Sequence, residues 1–328
     1  HDPYQRISAL QLRKIVRLQE GDAAGAERYR RQAEVLALQT AAPQMFKSLL
    51  NVELILCTKA LDLTGVQRLL EETKPLAARH PGWSVNLIWA EASFQLVRGD
   101  LDKAKQLFES GVGALKQGAD GKPANRVLAT IIHAGLAETL LAMGKPAEAR
   151  DVAMAALAWC DGEQIGDVFS DLECTLSLAE AKLGDAQGAA ARLDALIAEN
   201  ERMGVTGLRL GLVYEARAQV AIWSADSAGF QLYAELTGRA YRHGARSSLA
   251  ARYARLMHEA ADRGYHGASQ LTDFQSLTSM ATSARGEDLV SIVSRSMSTK
   301  RLSQERAEYA LSIICDAHAA RAGHLFTA

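Results

Sequence analysis

A chain of 328 residues with a formal charge of -1 carries no global field that would concentrate it on nucleic acid or an anionic membrane. Its apolar fraction of 48% includes only 6% aromatic residues; Ala and Leu, good helix formers that let helices approach closely, supply much of the rest and point to an all-α protein. The four cysteines, Cys57, Cys160, Cys174 and Cys315, are too scattered for a disulfide framework and read as buried thiols of a reducing, cytoplasmic compartment.

The first landmark in chain order is Gly21-Asp22, with the small residue Ala26 five positions beyond the glycine. The same phrase returns as Gly99-Asp100 with Ala104, Gly144-Lys145 with Ala149, and Gly184-Asp185 with Ala189. Two weaker copies keep the register: Asp62 with Val66, where Leu61 fills the glycine slot, and Asp226 with Phe230, where Ala225 fills it. Slots at 21, 61, 99, 144, 184 and 225 lie 40, 38, 45, 40 and 41 residues apart, so the period is about 40.

Each slot has a physical meaning. An apolar run such as Trp83 to Val97 or Arg126 to Met143 predicts a first helix, which the glycine ends in a left-handed turn. The aspartate then caps a second helix by accepting its first-turn amides, and Pro146 suits a first turn whose amide needs no partner. The small residue five beyond the slot lets the two antiparallel helices touch, so Val66 and Phe230 predict looser pairs. Val127 to Met143 is the most apolar run, but it holds His133 and Glu138 and is about one helix long, which makes it a core helix and excludes a membrane span.

The phrase resembles the tetratricopeptide repeat, whose Gly, Asp and small-residue slots are held here by Gly99, Asp100 and Ala104, and the match runs from about Tyr4 to Gly264. The period is longer than the usual 34 residues, and the early Trp and closing Pro of that family are absent. The longer unit is similar to the helical sensor regions of bacterial LuxR-type regulators and multidomain Ser/Thr kinases. The resemblance implies a right-handed α-solenoid of about six antiparallel helix pairs over residues 1–265, with a C-terminal helical cap or linker over 266–328.

Beyond Gly264 no Gly-Asp phrase recurs. Residues 276–283 read as a connector, and helices are predicted near 287–297 and 303–320. Residues 307–326 resemble the lead-in to a GAF-type domain, the alternative being a helix that caps the last pair. The start at His1, without a signal pattern, suggests a segment of something longer.

Chemistry is sparse. No phosphate-binding loop, nucleophile elbow or zinc-protease motif occurs, and neither an enzyme nor a cofactor is expected. Cys315, His318 and His324 lack a fourth metal ligand, and His133 reads as a hydrogen-bonded core histidine. Glu91, Glu138, Glu180 and Glu215 recur inside the first helices of successive pairs. In tetratricopeptide folds these helices line the concave face, so the resemblance makes the four acids candidate ligand contacts. Arg239, Arg242, Arg246, Arg252 and Arg255, interleaved with Tyr241 and Tyr253, form a candidate basic patch, with a solvated helix surface as the alternative.

The expected role is a non-catalytic interaction or sensing module of a bacterial signalling protein. Its expected partner is a protein or peptide, or else a small molecule; neither nucleic acid nor a membrane is expected. The alternative is a structural scaffold that holds a homodimer.

Overall fold

Among the described residues seven turns recur at intervals of about 40, and an eighth of the same kind falls between them at Gly204. Gly21, Leu61, Gly99, Gly144, Gly184, Ala225 and Gly264 all have positive φ, from 56° to 107°. At each, the following residue donates its N–H to the carbonyl five positions back, as in Asp22 to Arg17 (2.8 Å), Asp62 to Cys57 (2.9 Å) and Asp226 to Ala221 (2.9 Å). This left-handed closure satisfies the carbonyls that a helix end leaves bare. Six of the turns fall on the expected slots. The seventh, at Gly264, was not expected, because Tyr265 stands where the aspartate would; its N–H bonds the Ala260 carbonyl at 3.0 Å all the same.

The structure, a computed structural model, describes residues 2–40, 49–116, 123–160, 166–241 and 248–265, which belong to one unit, His1–Ala268. The predicted connector, helices and GAF-like segment beyond 266, with Cys315, His318 and His324, lie outside the described residues, as do Arg242 and Arg246. Thirteen α-helices and no strand are described: α1 (Pro3–Gln19), α2 (Ala23–Gln39), α3 (Leu50–Lys59), α4 (Leu63–Arg79), α5 (Ser84–Arg98), α6 (Leu101–Ala114), α7 (Arg126–Ala142), α8 (Pro146–Cys160), α9 (Gly166–Lys182), α10 (Ala186–Arg202), α11 (Leu208–Trp223), α12 (Ser227–Tyr241) and α13 (Ser248–Asp262). None is long and apolar enough to cross a membrane.

The second helices start as their capping residues dictate. The carboxylates of Asp22, Asp62, Asp185 and Asp226 accept from the amides of Gly25, Gly65, Gly188 and Gly229 at 2.8–3.0 Å. Those glycines form a second half of the repeated phrase. A Cβ at any of the four would come within 2.1–2.4 Å of the capping carboxylate. Where the chain places Lys103 instead, the bond to Asp100 lengthens to 3.3 Å.

The two helices of a pair fold back on each other, and every odd-numbered helix also packs on the next odd-numbered one. Among the described residues no two even-numbered helices pack on each other to a comparable extent, so the odd helices form an inner layer and the even ones an outer layer. The small residues beyond the turns seal the pairs: Ala104, Ala149 and Ala189 are fully buried, as are Val66 and Phe230. The pair α11–α12 is nevertheless packed as extensively as any other, contrary to the looser fit predicted from Phe230. Its ring is taken up against Tyr265, whose centroid lies 5.0 Å away, while Gly211 brings α11 against Tyr241.

The inner layer also meets itself, because α1 touches α11. The contact is made at Gly207, with φ 68° and ψ -140°, where an added Cβ would lie 2.2 Å from the carbonyl oxygen of Gln19. Only glycine combines that backbone geometry with so close an approach.

Candidate ligand-binding cavity

Inside this closed inner layer lies a cavity of about 390 Å³, lined by residues of α1, α3, α7, α9, α10, α11 and α13. That volume is in the range that holds a drug-sized ligand. Val52, Ile55, Leu141, Leu178, Leu212 and Val213 supply an apolar wall. Set into it are two charged groupings.

In the first, the Lys59 ammonium at the end of α3 reaches Glu138 on α7 at 2.8 Å and Asp171 on α9 at 3.4 Å. The three side chains are 17%, 29% and 19% exposed, and each lines the cavity. Burial opposes the Lys59 charge, but Asp171 and Glu138 outweigh it and hold the ammonium above its ordinary pKa. Burial likewise raises Glu138, yet the attraction of Lys59 prevails and the carboxyl ends below its usual value. For Asp171 burial prevails: Lys59 is shared with Glu138, and the Asp171 pKa is raised.

In the second grouping, Glu215 on α11 accepts from the Tyr241 hydroxyl at 2.6 Å and from the Arg252 guanidinium of α13. Arg252 also donates to the Lys59 carbonyl at 3.3 Å, tying α13 to α3. Burial disfavours the Arg252 charge, but Glu215 more than compensates. Burial and the neighbouring Glu215 keep the Tyr241 phenol protonated well past its ordinary range. The Cys174 thiol, also at the wall, is pushed up by burial and is no ready nucleophile.

Of the four acids named from sequence, Glu138 and Glu215 come to the cavity. Glu180 pairs with Arg192 of α10 at 3.2 Å, and Glu91 is half-buried on α5; neither lines the cavity. Helical phase explains the split. Counted back from the turn residue of its own pair, Glu138 is six positions away and Glu215 ten, one helical turn apart. Glu180 and Glu91, at four and eight, are displaced from Glu138 by two residues and point to the far side.

The same count finds two charged cavity residues that sequence reading passed over. Lys59 stands two positions before its turn and Asp171 thirteen, on the phase of Glu138 and Glu215. Of the arginine run, Arg252 is drawn into the cavity, Arg239 is exposed and paired with Glu235, and Arg255 is exposed on α13. Tyr241 and Tyr253 are buried. His133 is held by its own helix, its Nδ1 donating to the Ala129 carbonyl at 2.7 Å, and burial lowers its pKa.

No family model matches the chain, and no curated protein matches it. Among solved structures the chain is similar to the crystal structure of BtubC (BKLC) from P. vanneervenii, at 15% identity with a TM-score of 0.44, covering 81% of this chain and 94% of that one. At that level of similarity the chemistry of the cavity has to be read from its own residues.

Proposed function

We propose that this chain is a non-catalytic ligand-binding module of a cytoplasmic bacterial signalling or regulatory protein, and that the central cavity is where its ligand sits. In this reading the helix pairs are the units of a right-handed, tetratricopeptide-like solenoid with a period of about 40, and the inner face is the sensing surface. The observation that carries the reading is a cavity of about 390 Å³ with an apolar wall and a few convergent polar groups. Binding is favoured over turnover because the charged groups are tied to one another: Lys59 is held protonated and Glu138 ionised, so neither is poised to exchange a proton near neutral pH. A small molecule, or one or two side chains of a peptide, matches the volume.

The test is calorimetric titration with a library of small ligands and peptides, repeated on Leu212→Trp. Leu212 is only partly buried and lines the cavity, so an indole there fills space without entering the packed core. A ligand seated in the cavity loses at least tenfold in affinity; undiminished binding to a folded Leu212→Trp protein removes the cavity from the account.

A second reading, a structural module that holds a dimer, is supported by Leu12 and Val16 on α1 and Val35 and Leu38 on α2. They are 62%, 48%, 54% and 68% exposed, apolar side chains that self-association would cover. Light scattering that stays monomeric across concentration sets it aside.

A further inference from the structure

We infer that the cavity selects an uncharged amphiphile, a molecule with an apolar body seated against the wall and one hydroxyl-sized head bonded to Ser93 and Thr58 in a side chamber. The inference rests on the ligand-binding reading above and names the ligand class that the same site takes.

Charge decides the first part. The charged side chains of the lining are balanced, with Lys59, Arg209 and Arg252 set against Glu138, Asp171 and Glu215. They are also engaged with one another. Lys59 holds Glu138 and Asp171, Arg252 holds Glu215, and at longer range Arg252 acts on Glu138 and Arg209 on Asp171. A charged ligand would find no unspent counter-charge here, and would have to break an existing pair or stay unpaired in a desolvated site. An uncharged one disturbs none of the pairs, and Ile55, Leu141, Leu178 and Leu212 reward its apolar body.

The head has a place of its own. Beside the cavity is a chamber of about 30 Å³, lined by Thr58 of α3 and Ser93 of α5 together with Trp89, Leu96 and Phe108. Ile55, Lys59, Glu138 and Asp171 border both spaces, so the two adjoin across those side chains. The chamber has room for a group about the size of one water molecule and for little more.

The Thr58 and Ser93 hydroxyls are both buried, and neither has a hydrogen-bond partner among the described residues. Ser93 as a whole is 1% exposed. Buried hydroxyls elsewhere in the chain are treated differently: Thr73, Thr130, Thr139, Thr175 and Thr237 each donate to the carbonyl four positions back. A buried hydroxyl without a partner carries a free-energy cost that a donor or acceptor placed in the chamber relieves. A ligand hydroxyl offers both.

The experiment is calorimetric titration of the full chain with four probes of equal carbon number, hexan-1-ol, 1-chlorohexane, hexylammonium and hexanoate. It is repeated on Leu212→Trp and on the double variant Ser93→Ala, Thr58→Val. Hexan-1-ol should bind at least tenfold more tightly than either ion, and more tightly than 1-chlorohexane although the chloride is the more hydrophobic of the two. An apolar cavity without a polar subsite ranks that pair the other way. The double variant should weaken the alcohol at least tenfold and leave the chloride unchanged, which also shows that it is folded. Either ion binding as tightly as the alcohol overturns the uncharged class, and the chloride binding more tightly overturns the head site; both results leave the cavity reading intact. Alcohol binding that survives Leu212→Trp overturns the cavity reading and this inference together. Failure of all four probes to bind overturns the ligand class alone, because the library titration judges the cavity. The ranking on the unaltered protein decides the matter even where the double variant is unstable.

Discussion

Leu61 and Ala225 carry a backbone conformation that suits neither of them. Both sit at positive φ, 56° and 58°, in turns that elsewhere use glycine. An L-residue with a Cβ gives up about 1–2 kcal/mol there, so the surrounding pairs hold these turns against their own preference. Ala225→Gly should stabilise the protein by about 1 kcal/mol, read as a higher urea midpoint with an unchanged slope, because Ala225 is exposed and contributes little packing. Leu61→Gly should gain less, since Leu61 is half-buried and its side chain is lost. These turns were legible in the sequence despite the missing glycine, because the spacing and the capping Asp62 and Asp226 marked the same slots. Gly264 shows the converse: the glycine and its geometry repeat, but Tyr265 offers no capping carboxylate, so the Gly-Asp phrase does not mark it.

At the scale of the helices, the decisive quantity is how closely a first helix can approach its neighbours. Gly135 on α7 faces the ring of Phe108 on α6, and Gly211 on α11 faces that of Tyr241 on α12; an added Cβ would lie 2.3 Å and 2.6 Å from those rings. Gly211→Ala gains up to about 1 kcal/mol in helix propensity, yet it crowds a fully buried tyrosine, and overpacking of that kind costs about 1–3 kcal/mol. The net expectation is destabilisation, with the Tyr241 bond to Glu215 disturbed. Gly113→Ala on α6 is the control. Nothing lies within 4 Å of its would-be Cβ, so the propensity gain stands alone and stability should rise. Thermal melts of the two variants should shift in opposite directions.

Helical phase is also where sequence reading of the site divided. Glu138 and Glu215 were found because a carboxylate in an apolar helix is conspicuous. Glu91 and Glu180 were found for the same reason, yet their phase sends them elsewhere. Lys59 and Asp171 were missed because each stands in a stretch where charge is ordinary, Lys59 near a helix end and Asp171 beside Glu173. Counting residues back from each turn sorts all six correctly, but the count means something only once the inner layer is known to be odd-numbered and the partners are known to converge from α3, α7 and α9. Tertiary convergence of that kind leaves no trace in local spacing.

For the molecule as a whole, the contact between α1 and α11 decides whether there is a cavity at all. Gly207→Ala places a methyl group against the Gln19 carbonyl, a backbone atom that no rotamer change can move, at a residue whose φ and ψ already exclude a side chain. A loss of at least about 2 kcal/mol is expected from that strain together with the lost contact. Hydrogen exchange should accelerate at residues 20–22 and 207–211 well before it does in α7. The Arg252 bond to the Lys59 carbonyl spans the same inner layer from α13, so a part of the closure should survive the substitution.

That contact also imposes an order on assembly. Helix pairs stacked on their neighbours can zip together one after another, each step needing only what is adjacent. Residues 19 and 207 are 188 positions apart, and bringing them together across a disordered chain would cost about 4–5 kcal/mol in loop entropy. Their meeting therefore waits until the intervening pairs have stacked and carried the two ends into register. It is the last seam to form and, by reversal, the first to part. A molecule lodged behind it would act as a latch, lengthening the lifetime of the folded state by holding shut the step through which unfolding begins.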